Sequence, residues 1–199
     1  MRRFTLFAEC LTAGLLVALA ILPVVTLLPA LAAGCAHIRA HVDGETTAIR
    51  AFFTRVGAAF PGSLPLSLGV AAGYAVLAGD VLILRAGVPG GAGVPGGAVV
   101  AAGCVLAAAA LSVVVLRAAA AWSPGASWWQ SVRHAARRTV TGDPSGSLLL
   151  IMALGVLVVV TWQLLPLVVP MLGCLLMAAV AVERRHSRRA DPALRRAPV

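Results

Sequence analysis

The sequence contains no lysine and no asparagine, and its 7 acidic residues are outnumbered by 16 arginines. Only 12% of the 199 residues are charged, whereas soluble domains carry about 25%, because water must wet a folded surface. Hydrophobic residues make up 60% of the chain. The polar surface is therefore too small to cover a globule in water, and lipid is the expected solvent for most of the chain.

Side-chain patterns that carry chemistry are also missing. The four cysteines form no CxxC pair, which argues against a zinc site or a disulfide framework and favours small buried side chains (Cys10, Cys35, Cys104 and Cys174). No GxSxG motif, phosphate-binding loop or pair of carboxylates occurs. The formal charge of +9 lacks the interleaved aromatic residues of a nucleic-acid site. We therefore predict a non-enzymatic protein with no cofactor and no nucleic-acid partner.

Three uncharged or nearly uncharged runs have the length of one membrane crossing. They are residues 11–35, 64–84 and 98–122, and Asp80 and Arg117 are the only charged residues within them. About 20 apolar residues in a helix span the hydrocarbon core of a bilayer. Three transmembrane helices are therefore predicted, and three prolines are expected to kink or end spans (Pro23, Pro29 and Pro170).

A fourth run, residues 147–182, is too long for one crossing. As a single helix it would extend about 54 Å, against a hydrocarbon core of about 30 Å. A proline is well placed at the start of a helix, so Pro166 is predicted to divide the run into two short spans, 147–162 and 166–182. The predicted fold is all-α: one helical membrane domain, residues 1–183, with five transmembrane helices.

The arginines support an odd number of crossings. Five spans place thirteen arginines on one side of the membrane and three on the other (Arg2, Arg3 and Arg85), whereas four spans divide them nine to seven. Cytoplasmic loops are enriched in basic residues. The abundance of Ala, Val, Leu, Gly and Arg is typical of a GC-rich bacterial genome. We therefore predict a multi-pass protein of a bacterial plasma membrane, with the N-terminus outside and the C-terminus in the cytoplasm.

Each predicted cytoplasmic loop contains an amphipathic helical pattern. In the first loop the apolar positions are Ile49, Phe52, Phe53, Val56 and Phe60. In the second they are Trp129, Val132, Ala136 and Val140, with basic side chains on the remaining face. Such patterns are typical of helices in the headgroup layer. Two interfacial helices are predicted, with packing beneath the bundle as the alternative for the phenylalanines; the predicted interface residues are Phe52, Phe53, Trp128, Trp129, Arg133 and Arg137.

Two segments outside the spans have a distinctive composition. The hexapeptide GVPGGA occurs twice in tandem over residues 87–98, and this density of glycine and proline predicts a flexible outer linker. Residues 184–199 contain six arginines and little apolar content. They are predicted to form a disordered basic tail that is attracted to anionic lipid.

Two sets of polar residues are candidates for a functional site. His37 and His41 lie four residues apart and are followed by Asp43, a set that is a weak candidate for a zinc or iron site. Asp80 is the acid farthest inside a predicted span, and intramembrane carboxylates are often functional. A structural polar contact or a helix-end role of Asp80 is the favoured interpretation, with Arg85 or an N-terminal arginine within reach, and ion or proton coupling is the alternative.

The segment from Leu22 to Ala33, LPVVTLLPALAA, resembles the first-span signature of the YesL-like bacterial integral membrane proteins. The segment AFFTRVGAAF, residues 51–60, is similar to the aromatic and basic segment of that family, and Asp80 and the turn at Pro166 match it as well. The likeness is specific over roughly residues 20 to 80, and His37 and His41 are not part of the pattern. It implies a domain of unknown function, often encoded beside genes for sugar uptake or degradation.

These observations give three hypotheses for function. The first is an accessory component of carbohydrate uptake that binds a sugar transport system or another copy of itself within the lipid bilayer. The second is a small transporter or permease component in which Asp80 lines a path. The third is a metal-dependent membrane enzyme that uses His37, His41 and Asp43.

Overall fold

The computed structural model describes residues 2–45, 48–86 and 96–190, and these residues form helices with no strand among them. The described residues contain eight α-helices: α1 Arg2–Ile21, α2 Leu27–Val42, α3 Ile49–Ala59, α4 Leu64–Ala86, α5 Gly97–Ala121, α6 Trp128–Arg137, α7 Pro144–Gln163 and α8 Val168–Ala190. Short turns join some of them, namely Val24–Thr26, Arg138–Gly142 and Leu165–Leu167. The predicted all-α class is confirmed.

Within the described part of the chain, five helices are long and apolar enough to cross a membrane: Val24–Val42, Leu64–Leu84, Gly97–Ala121, Pro144–Gln163 and Leu165–Ser187. Their number agrees with the prediction. The run 147–182 is divided as expected, since α7 ends at Gln163 and Pro166 lies in the turn before α8. A shorter apolar segment, Ala8–Ile21, precedes the first of the five.

The prediction of one span over residues 11–35 is wrong. Helix α1 ends at Ile21 and α2 begins at Leu27. Pro23 lies in the turn between them, where its lack of an N–H and its fixed φ favour the end of α1. The two helices run antiparallel, because the Glu9 carboxylate near the start of α1 lies beside His37 and His41 near the end of α2.

The chain forms three antiparallel hairpins joined by two amphipathic helices. The hairpins are α1/α2, α4/α5 and α7/α8. In the second hairpin the hydroxyl groups of Tyr74 and Ser112 are 2.6 Å apart. Helix α3 connects the first hairpin to the second, and α6 connects the second to the third. Helices therefore occupy both predicted loops.

Helix α2 is the central helix, and it packs against α1, α3, α5 and α8. The backbone N–H of Leu28 donates to the hydroxyl oxygen of Ser67, 3.4 Å away. Ser67 lies in the first turn of α4. Near its other end, the Arg39 guanidinium donates to the carbonyl oxygen of Ala120 in the last turn of α5. Since α4 and α5 are antiparallel, both contacts lie at one end of that pair. Helix α2 therefore crosses the α4/α5 pair obliquely.

Glycines allow α1 and α8 to approach closely. A Cβ atom added to Gly14 would meet the backbone of Val169, and one added to Gly173 would meet the backbone of Cys10. These contacts show that α1 and α8 are antiparallel. Small residues commonly allow such contacts between membrane helices. The approach of α4 to α5 at Gly73 is less close, because an added Cβ would lie 3.3 Å from the Leu111 side chain, and Gly69 has no neighbour within 4 Å.

The predicted disordered tail begins later than residue 184. Helix α8 continues to Ala190, so residues 184–190 are helical. This part of the prediction is wrong, because arginines favour a helix end of this polarity. Residues 191–199 lie outside the described part of the chain, as do residues 87–95 of the tandem repeat.

Candidate functional site at the charged end

The arginine–carboxylate and histidine–carboxylate contacts between described side chains lie at one end of the bundle, here called the charged end. At this end α1 and α7 begin and α2, α5 and α8 finish. The contacts are Glu9–His37, Glu9–His41, Arg117–Asp143, Arg138–Glu183 and Arg184–Asp43. The polar groups that hold the described helices together are therefore concentrated on one side of the apolar core.

Arg117 and Asp143 form a buried pair between α5 and α7. The Arg117 side chain is only 2% exposed, and its Nη2 donates to the Asp143 carbonyl oxygen at 3.0 Å and lies 3.5 Å from Oδ2. Asp143 also caps α7, since its carboxylate accepts hydrogen bonds from the Ser145 hydroxyl at 2.9 Å and the Gly146 N–H at 3.2 Å. One sign of this pair is visible before folding, a single arginine within an apolar run.

The Asp143 carboxyl is held in its ionised form. Burial alone would raise its pKa, but the hydrogen bonds from Ser145 and Gly146 and the charges of Arg117 and His186 lower it by more. The net pKa lies below the ordinary value of an aspartate. An ionised cap also interacts favourably with the N-terminus of α7.

Further contacts at the charged end connect all three hairpins. The Arg184 guanidinium of α8 lies 2.6 Å from Asp43 Oδ2 and 3.2 Å from the Arg39 carbonyl oxygen of α2. Arg39 in turn reaches α5 through Ala120. With the Arg117–Asp143 pair between α5 and α7, each hairpin is joined to the other two.

The structure does not bring His37, His41 and Asp43 together as a metal site. Asp43 binds Arg184, and Glu9 takes the place beside the histidines: its Oε1 lies 3.5 Å from His37 Nε2 and 3.4 Å from His41 Nδ1. Within the described ranges, no group of three or more His, Cys, Asp or Glu side chains is arranged to hold a metal ion.

Sequence reasoning missed Glu9, although a signal was present. Glu9 and His37 lie at equal distances in sequence from Pro23. If the proline marks a helix turn, a symmetric hairpin places these two residues side by side. The assumption of a single span hid this relationship.

Asp80 is exposed on α4, on an outward face formed by Gly69, Ala72, Val76, Asp80 and Ile83, here called the α4 face. Within the described structure, no hydrogen bond or ion pair reaches its carboxylate. Helix α1 begins at the charged end, whereas Asp80 lies toward the other end of α4. The side chains of Arg85 and of the N-terminal arginines lie outside the described part of the structure, so the predicted contact stays a prediction.

The predicted membrane-interface residues divide into buried and exposed members. Phe52 is buried beside His37, with ring centroids 6.3 Å apart. Trp128 is buried too, and its Nε1 donates to the Ala59 carbonyl oxygen at 2.8 Å. Placing these two residues against the membrane was wrong, because tertiary packing covers them. The exposed members are Phe53, Trp129, Arg133 and Arg137.

The chain matches no family model, no curated protein and no solved structure. The likeness to the YesL-like proteins therefore stays a prediction.

Proposed function

We propose that the protein resides in a bacterial plasma membrane and crosses it six times, with both ends in the cytoplasm. Three hairpins with their charged end on the cytoplasmic side leave Arg85 as the one arginine on the outer side and place the other fifteen inside. The bias expected of cytoplasmic loops is then stronger than the thirteen to three of a five-span arrangement. The antiparallel α1/α2 and α1/α8 contacts support this orientation.

Helix lengths are compatible with six crossings. Helix α1 is about 30 Å long over its 20 residues. Its apolar segment, Ala8–Ile21, accounts for about 21 Å of that length, so local thinning of the bilayer would accompany this crossing. Helices α4 and α5 have 23 and 25 residues, enough for one crossing each. The Leu28–Ser67 contact, by contrast, places the start of α2 beside the first turn of α4 and is evidence against a fully translocated tip of the first hairpin. The interfacial placement of α3 and α6 belongs to the same proposal, with Phe53 and Trp129 facing the headgroups.

Reporter fusions test this orientation. Green fluorescent protein fused before Met1 and after Val199 is expected to fluoresce, and alkaline phosphatase inserted at Gly90 is expected to be active. Five crossings instead predict active phosphatase, and no fluorescence, at the N-terminus. That result would restore the odd number of crossings and contradict six.

We further propose that the protein is a non-enzymatic accessory subunit that binds a different membrane protein through the α4 face. Asp80 carries this proposal. A carboxylate facing lipid is costly, and intramembrane acids almost always face protein or water. A partner helix with a basic or hydrogen-bonding side chain would satisfy Asp80, and Gly69 and Ala72 would allow that helix to approach closely.

A second copy of the chain fits this face less well than a different protein. A two-fold pairing of α4 faces would bring two Asp80 carboxylates together, and like charges in a low dielectric repel. The class of partner, a carbohydrate importer, rests on the resemblance to the YesL-like proteins alone.

Site-specific photocrosslinking in intact cells tests the partner. A photoreactive residue at Val76 on the α4 face is compared with one at Met152 on α7, since the two side chains are 63% and 61% exposed. We expect position 76 to give an adduct with a second membrane protein, and Asp80→Leu to reduce it. An adduct of dimer mass, equal adducts from both positions, or an adduct insensitive to Asp80→Leu would contradict the proposal.

A small transporter using Asp80 is the alternative. Its support is weaker, because Asp80 lies on the outside of the described bundle rather than between helices. Solute flux into liposomes that contain the pure protein would favour it, particularly if Asp80→Asn abolished the flux.

A further inference from the structure

The exposed face of α6 carries a row of side chains suited to a phosphate group. Gln130, Arg133, His134 and Arg137 line an open groove of about 270 Å³, because spacings of three and four residues lie on one helix face. Arginine presents a planar fork of N–H donors that fits phosphate oxygens. In the described structure, Arg133 and Arg137 make no ion pair, whereas the neighbouring Arg138 binds Glu183 at 2.6 Å.

An apolar cavity lies beside this groove. Its volume is about 370 Å³, and its walls include Pro61, Pro65 and Leu66 around the start of α4 and Trp129 on α6. A volume of this size is within the range of small-molecule pockets. Trp129 is 60% exposed and precedes Arg133 by one helical turn. The cavity and the groove are therefore two parts of one surface.

We propose that α6 and the first turn of α4 bind one anionic phospholipid. The phosphate group binds Arg133 and Arg137, and the glycerol and the first part of the acyl chains lie in the cavity against Trp129. The chains then follow the exposed Leu64 and Leu68 along α4. The inference rests on the proposed membrane placement, in which this surface faces the anionic inner leaflet. A free phosphate ion would use the groove and leave the cavity unoccupied.

Fluorescence quenching by brominated lipids tests the site. The probe is a vesicle of phosphatidylcholine that contains a minor fraction of brominated phosphatidylglycerol or, for comparison, brominated phosphatidylcholine. In a Trp162→Phe background the exposed reporter is Trp129. We expect stronger quenching by the brominated phosphatidylglycerol. Arg133→Gln and Arg137→Gln are each expected to weaken this preference about fivefold, the effect of one basic residue near an anionic surface.

Arg185→Gln is the matched control, because Arg185 is also exposed near the charged end. It is expected to keep the preference. Equal quenching by the two lipids, or an equal loss in Arg185→Gln, overturns the proposed site. A second measurement is the phosphatidylglycerol that copurifies with the protein, detected by mass spectrometry. We expect Trp129→Ala to lower it. An unchanged amount would place the bound lipid outside the cavity, and the absence of copurifying phosphatidylglycerol would leave a site for free phosphate; either result overturns the lipid proposal.

The same vesicles separate this proposal from the membrane placement. With Trp162 present, both brominated lipids should quench its fluorescence if the bundle is inserted, since this side chain is exposed at the end opposite the charged end. If both lipids quench Trp162 but quench Trp129 equally, the proposed lipid site is overturned and the membrane placement stands. No quenching of Trp162 by either lipid contradicts the membrane placement and, with it, this inference.

Discussion

The Arg117 guanidinium lies 3.0 Å from the Asp143 carbonyl oxygen, although 26 positions separate the two residues in the chain. Replacement of Arg117 by alanine leaves the Asp143 carboxylate buried without its ionic partner. Removal of one member of a buried pair costs about 3–5 kcal/mol, so we expect a large fall in the free energy of unfolding. Denaturation in detergent, followed by tryptophan fluorescence, measures it. Arg50→Ala is the control, since Arg50 is exposed; equal stability of the two variants would contradict a structural role.

Gly146 lies where a side chain has no room. An added Cβ would meet Asp143 Oδ2 and come within 2.7 Å of Arg117 Nη2 and 2.8 Å of Val182. We expect Gly146→Ala to destabilise the protein by about 1–3 kcal/mol, the usual cost of overpacking. In the same helix Gly155 has open space around it, so Gly155→Ala should be neutral or stabilise by up to about 1 kcal/mol. Unfolding curves that rank the two variants in the opposite order would refute this geometry.

The lowered pKa of Asp143 makes stability depend on pH in the acid range. The unfolded state binds a proton at a higher pH than the folded state does, so ionised Asp143 contributes stability at pH values above the ordinary pKa of an aspartate. This contribution is lost as the pH falls through the lower pKa of the folded state. We expect the melting temperature of Asp143→Asn to fall less steeply over this interval than that of the wild type. Parallel curves would show that other carboxyl groups dominate.

The contact of α1 with α8 can be tested by thiol cross-linking. Cys10 Sγ lies 4.0 Å from Met177 Sδ, so the thiol of Met177→Cys should be joined to that of Cys10 by a short bifunctional thiol reagent. A valine at Gly173 is expected to prevent this cross-link, because its side chain would displace the Cys10 backbone. Gly103→Val is the control, since Gly103 has open surroundings. Mass spectrometry of the linked peptides provides the measurement, and a cross-link that persists in Gly173→Val would exclude this packing.

The division of residues 147–182 into two helices was predictable from the sequence, because the length of this run allowed one interpretation. Residues 147–182 exceed one bilayer thickness, so a turn at Pro166 was required. Residues 11–35 fit one crossing, and length alone gave no reason to divide them. Pro23 was the available signal, but prolines also occur within transmembrane helices when neighbouring groups compensate. The evidence for two helices rather than one is the contact of Glu9 with His37, and that contact exists only in the folded chain.

The polar contacts at the charged end were beyond sequence reasoning for a related reason. Asp43 follows two histidines closely in sequence, yet its carboxylate binds Arg184 from the other end of the chain. Local spacing predicts neighbours on one helix, whereas this pairing depends on how three hairpins are arranged. In the same way, the alternation of buried and exposed aromatics at Phe52 and Phe53 depends on which side of α3 faces α2.

The tip of the third hairpin, Leu164–Leu167, carries no charge, and this bears on biogenesis. In the proposed orientation this tip is translocated, and its passage requires no ionised side chain to enter hydrocarbon. The arginines that join the hairpins remain on the side where the ribosome delivers the chain. Each hairpin can then insert as a unit, and the ionic contacts between hairpins can form after insertion.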